Sequence, residues 1–148
     1  MNLDVGCGEW KPEGFIGMDI RPLPQVDVVH DLHDTPWPFD KQRFRVVRMH
    51  HILEHVKPWR IMDVMDEAHR VLSRYGHARI EIPVAGSESL NQDPTHVRGW
   101  VEKSVEYFDP DYSLYTVFRP APWKVMRNDR VGDMLKITLE KRWTETPQ

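Results

Sequence analysis

Leu3-Asp4-Val5-Gly6-Cys7-Gly8, residues 3–8, is the stretch on which the fold turns. Leu3–Val5 has the make-up of a short buried strand and runs directly into a bend containing two glycines. Glycine lacks a Cβ, so such a bend can take positive φ and let a ligand approach the backbone closely. Working outward, Phe15–Ile20 and Val26–His30 read as two more buried strands, with Asp19 and Asp31 at their tips. Phe44–Met49 is a fourth, rich in β-branched and aromatic residues.

Pro58–Ser73 is the clearest helix. Proline suits a first turn, Ile61, Met65, Ala68 and Leu72 form a stripe at helical spacing, and Gly76 supplies a stop. His77–Val84 follows as a strand with Ala78, Ile80, Ile82 and Val84 on one face and Arg79 and Glu81 on the other. Trp123–Arg127 and Leu135–Leu139 alternate in the same way and predict a terminal antiparallel hairpin across Asn128–Gly132. Strands separated by helix-length connections predict an α/β, Rossmann-like, mostly parallel sheet ending in that hairpin. Only ten residues, Glu9–Met18, separate Gly8 from Asp19, too few for a full crossover helix plus a strand. Helices are therefore expected to be minimal on one face, and the bare sheet surface makes a homodimer an expectation. Residues 86–122, rich in Pro, Asp, Ser and Tyr, read as an insertion near the strand ends.

The 148 residues fit one domain spanning 1–148, with 40% hydrophobic residues and enough buried surface to fold without staples. A net charge of −3 gives no global field for nucleic acid, and no apolar run approaches a membrane span. The single cysteine, Cys7, precludes an intramolecular disulfide and suits a reducing cytoplasm.

Ligands of open α/β sheets bind outside the carboxyl ends of the strands. Three features fall there in order: Asp4–Gly8, Asp19-Ile20 and Asp31-Leu32. A carboxylate after the second strand can accept both hydroxyl protons of a ribose, and one after the third can accept from an adenine amine. No third glycine completes G-x-G-x-x-G, since position 11 is Lys11, which counts against a dinucleotide.

Leu3–Gly8 resembles the first motif of class I S-adenosylmethionine-dependent methyltransferases. Asp31-Leu32-His33-Asp34-Thr35-Pro36-Trp37-Pro38-Phe39, His51-Ile52-Leu53-Glu54-His55 and Asp93-Pro94-Thr95-His96-Val97-Arg98 are similar, in order, to segments of the short methyltransferase type 11-like group. The resemblance covers most of residues 3–108. It implies S-adenosylmethionine as cofactor, contacted by Asp4, Gly6, Cys7, Gly8, Asp19, Ile20, Asp31, Leu32 and His50. His50, His51 and His96 become the candidate catalytic residues, and no metal is implied. A neutral histidine can accept an acceptor's hydroxyl proton near pH 7. The only cysteine lies in the glycine turn, which argues against the pyrimidine-carbon enzymes of this fold. His50–Leu53 stands where the amino-methylating DNA enzymes carry an Asp/Asn-Pro-Pro-aromatic motif. Small-molecule or glycan hydroxyls and amines remain as acceptors, with no nucleic acid or membrane partner expected.

Three other readings stay open. His51–His55 also fits the H-x-x-E-H pattern of inverted zinc peptidases, with His51 and His55 as ligands and Glu54 as base. A catalytically silent cofactor-binding subunit would carry the same glycines and aspartates. A protein-interaction module on this fold would bind no cofactor.

Overall fold

The computed structural model describes residues 1–144. Its strands are β1 (Asn2–Val5), β2 (Phe15–Asp19), β3 (Val28–Val29), β4 (Phe44–His50), β5 (Leu72–Pro83), β6 (Trp123–Val131) and β7 (Met134–Lys141). They form one sheet in the order β3-β2-β1-β4-β5-β7-β6. β1 to β5 are parallel, and β7 pairs antiparallel with both β5 and β6. This is the predicted α/β sheet with its terminal hairpin. The order reverses between β1 and β4, which places a switch point beside the glycine bend.

Register assigns the two faces. Leu3 pairs with Ile16 and Val47, Val47 with Ala78, and Ala78 with Leu139. Val5, Met18, Met49, Ile80 and Ile137 continue that apolar face, and all five are essentially buried. The helix α1 (Ile61–Val71) supplies Val64, Met65, Ala68 and Val71 to the same core, each fully buried. Burial of a side chain of this size typically contributes about 1.5–3 kcal/mol for the larger residues. Trp100, Val105 and Phe108 of the 86–122 segment complete the layer.

The opposite face is a lattice of charges. Asp4 pairs in register with Arg48, Arg48 with Arg79, Glu81 with Lys136 and His77 with Glu140. Arg48 reaches Asp4 at 2.8 Å, and Trp10 lies over the Arg48 guanidinium at 5.3 Å. The connection from β1 to β2 contains only turns and no helix, as its length predicts. Neighbouring charges pair with one another across this side.

Several boundaries differ from the sequence reading: β3 is only Val28–Val29, α1 begins at Ile61 after a 3-10 turn at Pro58–Arg60, and β5 begins at Leu72. Helix α1 ends at Val71, not Ser73, because Leu72 already pairs with Phe44 of β4. Residues 73–76 then bulge out, and pairing resumes at Val46 with His77. Gly76 is no helix stop; a Cβ there would lie 2.9 Å from the Leu72 side chain and 3.1 Å from Arg45 O. The hairpin strand runs on to Val131, leaving a two-residue turn at Gly132-Asp133 instead of one at 128–132. Among the described residues no helix is long and apolar enough to cross a membrane.

Candidate functional site

Gly6 sits at φ +71°, and a Cβ on it would fall 2.5 Å from the Ile52 side chain. Gly6 N donates to Met18 O (2.7 Å), and Gly8 N, at the second left-handed glycine, donates to Asp19 Oδ2 (2.8 Å). Asp19 Oδ1 accepts from Arg21 N (2.9 Å) and Arg21 Nε (3.3 Å). The carboxylate thus latches the glycine bend to the tip of β2. Burial works to raise its pKa, but the bonds from Arg21 and Gly8 outweigh that and hold it below the usual carboxylate range.

Asp31 accepts the backbone N–H of His33 (2.9 Å) and its ring Nδ1 (3.0 Å) on one oxygen, Oδ1. The His33 backbone bond, ahead of a smaller burial effect, keeps this carboxyl low as well. Oδ2 makes no hydrogen bond among the described residues. The turn behind it is fixed by Trp37, whose Nε1 donates to Leu32 O (2.8 Å) and whose backbone N–H donates to buried Glu67 (2.7 Å).

A cavity of about 320 Å³ opens between these tips. Gly6, Asp19, Ile20, Asp31, Leu32 and Ile52 line it, with Met18, His30, His33, His55 and Lys57. Of the expected cofactor contacts, Asp4, Cys7, Gly8 and His50 do not line it. Asp4 lies on the charged face, where burial, opposed by Arg48, raises its carboxyl to about 6. Cys7 is buried against Gly17, and burial pushes its thiol up. Gly8 acts one step back, through Asp19.

The three expected catalytic histidines are separated. His50 turns toward Glu81 (3.7 Å), and burial, ahead of repulsion from Arg48, lowers its pKa to about 4. His51 stands at the β4 tip at φ +56°, exposed, with Nε2 3.4 Å from Glu81. His96 packs edge-on against His55, ring centroids 4.8 Å apart, beside Glu54. Glu54 is buried, which raises its carboxyl. His55 and Glu54 lie in a single 3-10 turn, Leu53–His55, so the H-x-x-E-H pattern is not displayed on one α-helical face. In the sequence, His55 stands out only as a ligand of the alternative H-x-x-E-H reading. Its place in the cavity wall follows from that turn, which period-3.6 reasoning does not anticipate.

A second, wider groove of about 520 Å³ lies across the same turn. Leu53, Val56, Trp59, Tyr107 and Phe118 make it apolar, and Arg98 supplies a charge. Alternation along 52–57 therefore sends Ile52, His55 and Lys57 to one cavity and Leu53 and Val56 to the other.

The fold matches solved structures along nearly its whole length. A Burkholderia thailandensis 1,6-didemethyltoxoflavin-N1-methyltransferase, solved with 1,6-didemethyltoxoflavin and S-adenosylhomocysteine, superposes with a TM-score of 0.70 at 14% identity, covering 95% of this chain and 70% of that one. A Methanosarcina mazei S-adenosylmethionine-dependent methyltransferase gives 0.68 at 15% identity, covering 97% and 92%. One from Archaeoglobus fulgidus gives 0.69 at 17%, covering 95% and 85%. The chain has the class I methyltransferase fold. No family model matches the sequence, and no curated protein matches it. The bend after β1 and the tips of β2 and β3 lie at the carboxyl ends of the strands, where open α/β sheets bind ligands, and the 320 Å³ cavity opens there.

The residues present fit S-adenosylmethionine. Gly6, at positive φ beside Ile52, presents bare backbone in the cavity wall, and Asp19 keeps lone pairs beyond its backbone bonds. Asp31 has an uncommitted oxygen, and Ile20, Leu32 and Ile52 offer apolar walls for a flat ring.

Proposed function

We propose that the chain is an S-adenosylmethionine-dependent methyltransferase acting on a hydroxyl or amine of a small molecule or sugar. The observation that carries this reading is the convergence of Gly6, Asp19 and Asp31 on one cavity at the strand-order switch. Asp19 would hold the ribose hydroxyls, Asp31 the adenine amine, and Gly6 would admit the chain bearing the sulfur. Bound there, S-adenosylmethionine would supply a methyl group on a cationic sulfur that leaves readily. The protein's task is then alignment and exclusion of water.

The apolar groove beyond Leu53 and Val56 suits the body of the acceptor, with Arg98 available to a polar or anionic substituent. A small-molecule acceptor is also what the Burkholderia relative in fold takes. For a hydroxyl acceptor we assign proton removal to His51. It is exposed beside Ile52 of the cavity wall, with its Nε2 3.4 Å from the Glu81 carboxylate. His50, held neutral by burial, is left to orient the β4 tip.

Thermal unfolding with S-adenosylmethionine and its demethylated product tests the reading. Free ligand at a hundredfold over Kd should stabilise the fold by about 2.7 kcal/mol. Asp31→Ala should remove most of that shift without disturbing the glycine bend, which Asp31 does not hold. Asp19→Ala should remove it too, with some loss of stability. No shift with wild-type protein, or an undiminished shift in both variants, overturns the assignment. Accumulation of the demethylated product on acceptor addition separates an active enzyme from a silent binding subunit.

A further inference from the structure

Glu54 has no role in the methyl-transfer reading, yet it is 1% exposed and its Oε2 makes no hydrogen bond. A carboxylate left so is costly unless a cation or proton joins it. Its closest imidazole nitrogens are His96 Nε2 (3.9 Å) and His51 Nδ1 (4.0 Å), both measured to Oε1 and both too far for a hydrogen bond. The backbone brings this residue to the Asp93–Arg98 segment on purpose-built bonds: Val97 N and Arg98 N both donate to Glu54 O, at 2.7 and 3.4 Å.

His96 is oriented like a metal ligand. Its Nδ1 lies 2.8 Å from Leu90 O, which can only accept, so the proton is on Nδ1 and the Nε2 lone pair faces outward. That lone pair points toward Glu54 Oε1 and toward Asp93 Oδ2 at 3.5 Å, three acceptors turned on one another. A ring N–H given to a backbone carbonyl is the usual support of a metal-bound histidine. Asp93 is itself fixed, its other oxygen accepting from Thr95 N (2.8 Å) and Thr95 Oγ1 (2.7 Å). Thr95 Oγ1 has thus spent its proton and lies 3.4 Å from His55 Nδ1. One ligand atom each from Glu54, His55 and His96 lies within 4.8 Å of the others. A tetrahedral site with bonds of about 2.1 Å has edges of about 3.4 Å, so modest side-chain contraction closes it.

We propose that Glu54, His55 and His96, with Asp93 alongside, bind one divalent transition-metal ion of the zinc class. The donor set, two imidazoles and carboxylate oxygen, suits zinc and its first-row neighbours rather than calcium or magnesium. It differs from the H-x-x-E-H arrangement in two ways. His51 stands outside it, and Glu54 is a ligand instead of a base. His55 also lines the nucleoside cavity, so the ion would sit at that cavity's rim. Its vacant position could take an acceptor oxygen, a consequence that does rest on the methyltransferase reading; binding of the ion does not.

Chelator-treated full-length protein titrated with Co2+ and then Zn2+ tests this directly. One equivalent of Co2+ should give the visible absorption of a low-symmetry four- or five-coordinate ion, and Zn2+ should displace it. His96→Ala and Glu54→Gln should weaken Zn2+ binding at least tenfold. Should Glu54→Gln fail to fold, by circular dichroism, the less buried His55→Ala carries the same expectation. Asp31→Ala should leave metal binding unchanged, so failure of the nucleoside site and failure of the ion site are read separately. Less than half an equivalent bound by wild-type protein, or undiminished, wild-type affinity in both His55→Ala and His96→Ala, overturns the proposal.

Discussion

At the scale of single residues, Gly6 is the position with least freedom. Its φ of +71° is strained for any L side chain, and a methyl would collide with Ile52 at 2.5 Å. Gly6→Ala should cost about 1–3 kcal/mol by urea unfolding and weaken S-adenosylmethionine binding together. Adding Ile52→Ala should relieve the clash but not the backbone strain, so only part of the stability returns. Full recovery would mean that the backbone angle carries no penalty. The glycines and the two carboxylates at strand tips were legible in the sequence, because strand ends in an open α/β sheet are where ligands gather. The fate of Asp4 was legible too, since it alternates with Leu3 and Val5 and so must face away from the core. Proximity to the glycine bend in sequence drew it into the expected contact set instead. Glu54 and His55 were marked by the H-x-x-E-H pattern, but one 3-10 turn decides where each points, and no periodic pattern records it.

At the scale of elements, α1 holds more than its own apolar stripe. Buried Glu67 accepts the Trp37 backbone N–H at 2.7 Å and Arg70 Nε at 2.7 Å, and Arg70 reaches Trp37 O at 3.1 Å. The helix therefore pins the turn that presents Asp31. Glu67→Ala strands a buried N–H and should cost about 1–3 kcal/mol. It should also weaken ligand binding, although the residue lies outside the cavity. Calorimetry that found undiminished affinity would show the turn to be self-supporting. The existence of this helix was plain from its stripe of apolar residues. Its end was not, because Leu72 leaves the helix to pair with Phe44, a contact 28 positions away in the chain. The bulge at 73–76 and the two-residue hairpin turn depend on the same kind of long-range pairing.

At the scale of the whole molecule, three strongly shifted groups contribute to the acid response with opposed signs. His69, whose Nε2 donates to Pro122 O (3.0 Å), has its pKa lowered to about 4 by burial, with Lys141 adding to the effect. His50 behaves alike. The unfolded chain binds these protons first, so stability falls as pH drops from 6.5 toward 4. Asp4, raised to about 6, takes its proton first in the folded state, so it adds stability as pH drops from 6 toward 3.8. Asp4→Asn should therefore steepen the loss between pH 6.5 and 4.5, while His69→Gln, which keeps a donor for Pro122, should flatten it. Urea midpoints at those two pH values check both; slopes changing in the opposite sense would reverse the assignment. The hairpin has a consequence at this scale. Asp133 in its turn receives Val84 N (2.7 Å) on its carbonyl and Ser89 N and Oγ on its carboxylate. At its other end, Val125 N and Arg142 both bind Asp109. Both margins of the 86–122 excursion are thus moored to the last two strands. Trimming those strands would do more than shorten the sheet: it would cast off the aromatic lining of the larger groove, more than twenty residues upstream of the deletion in the case of Trp100.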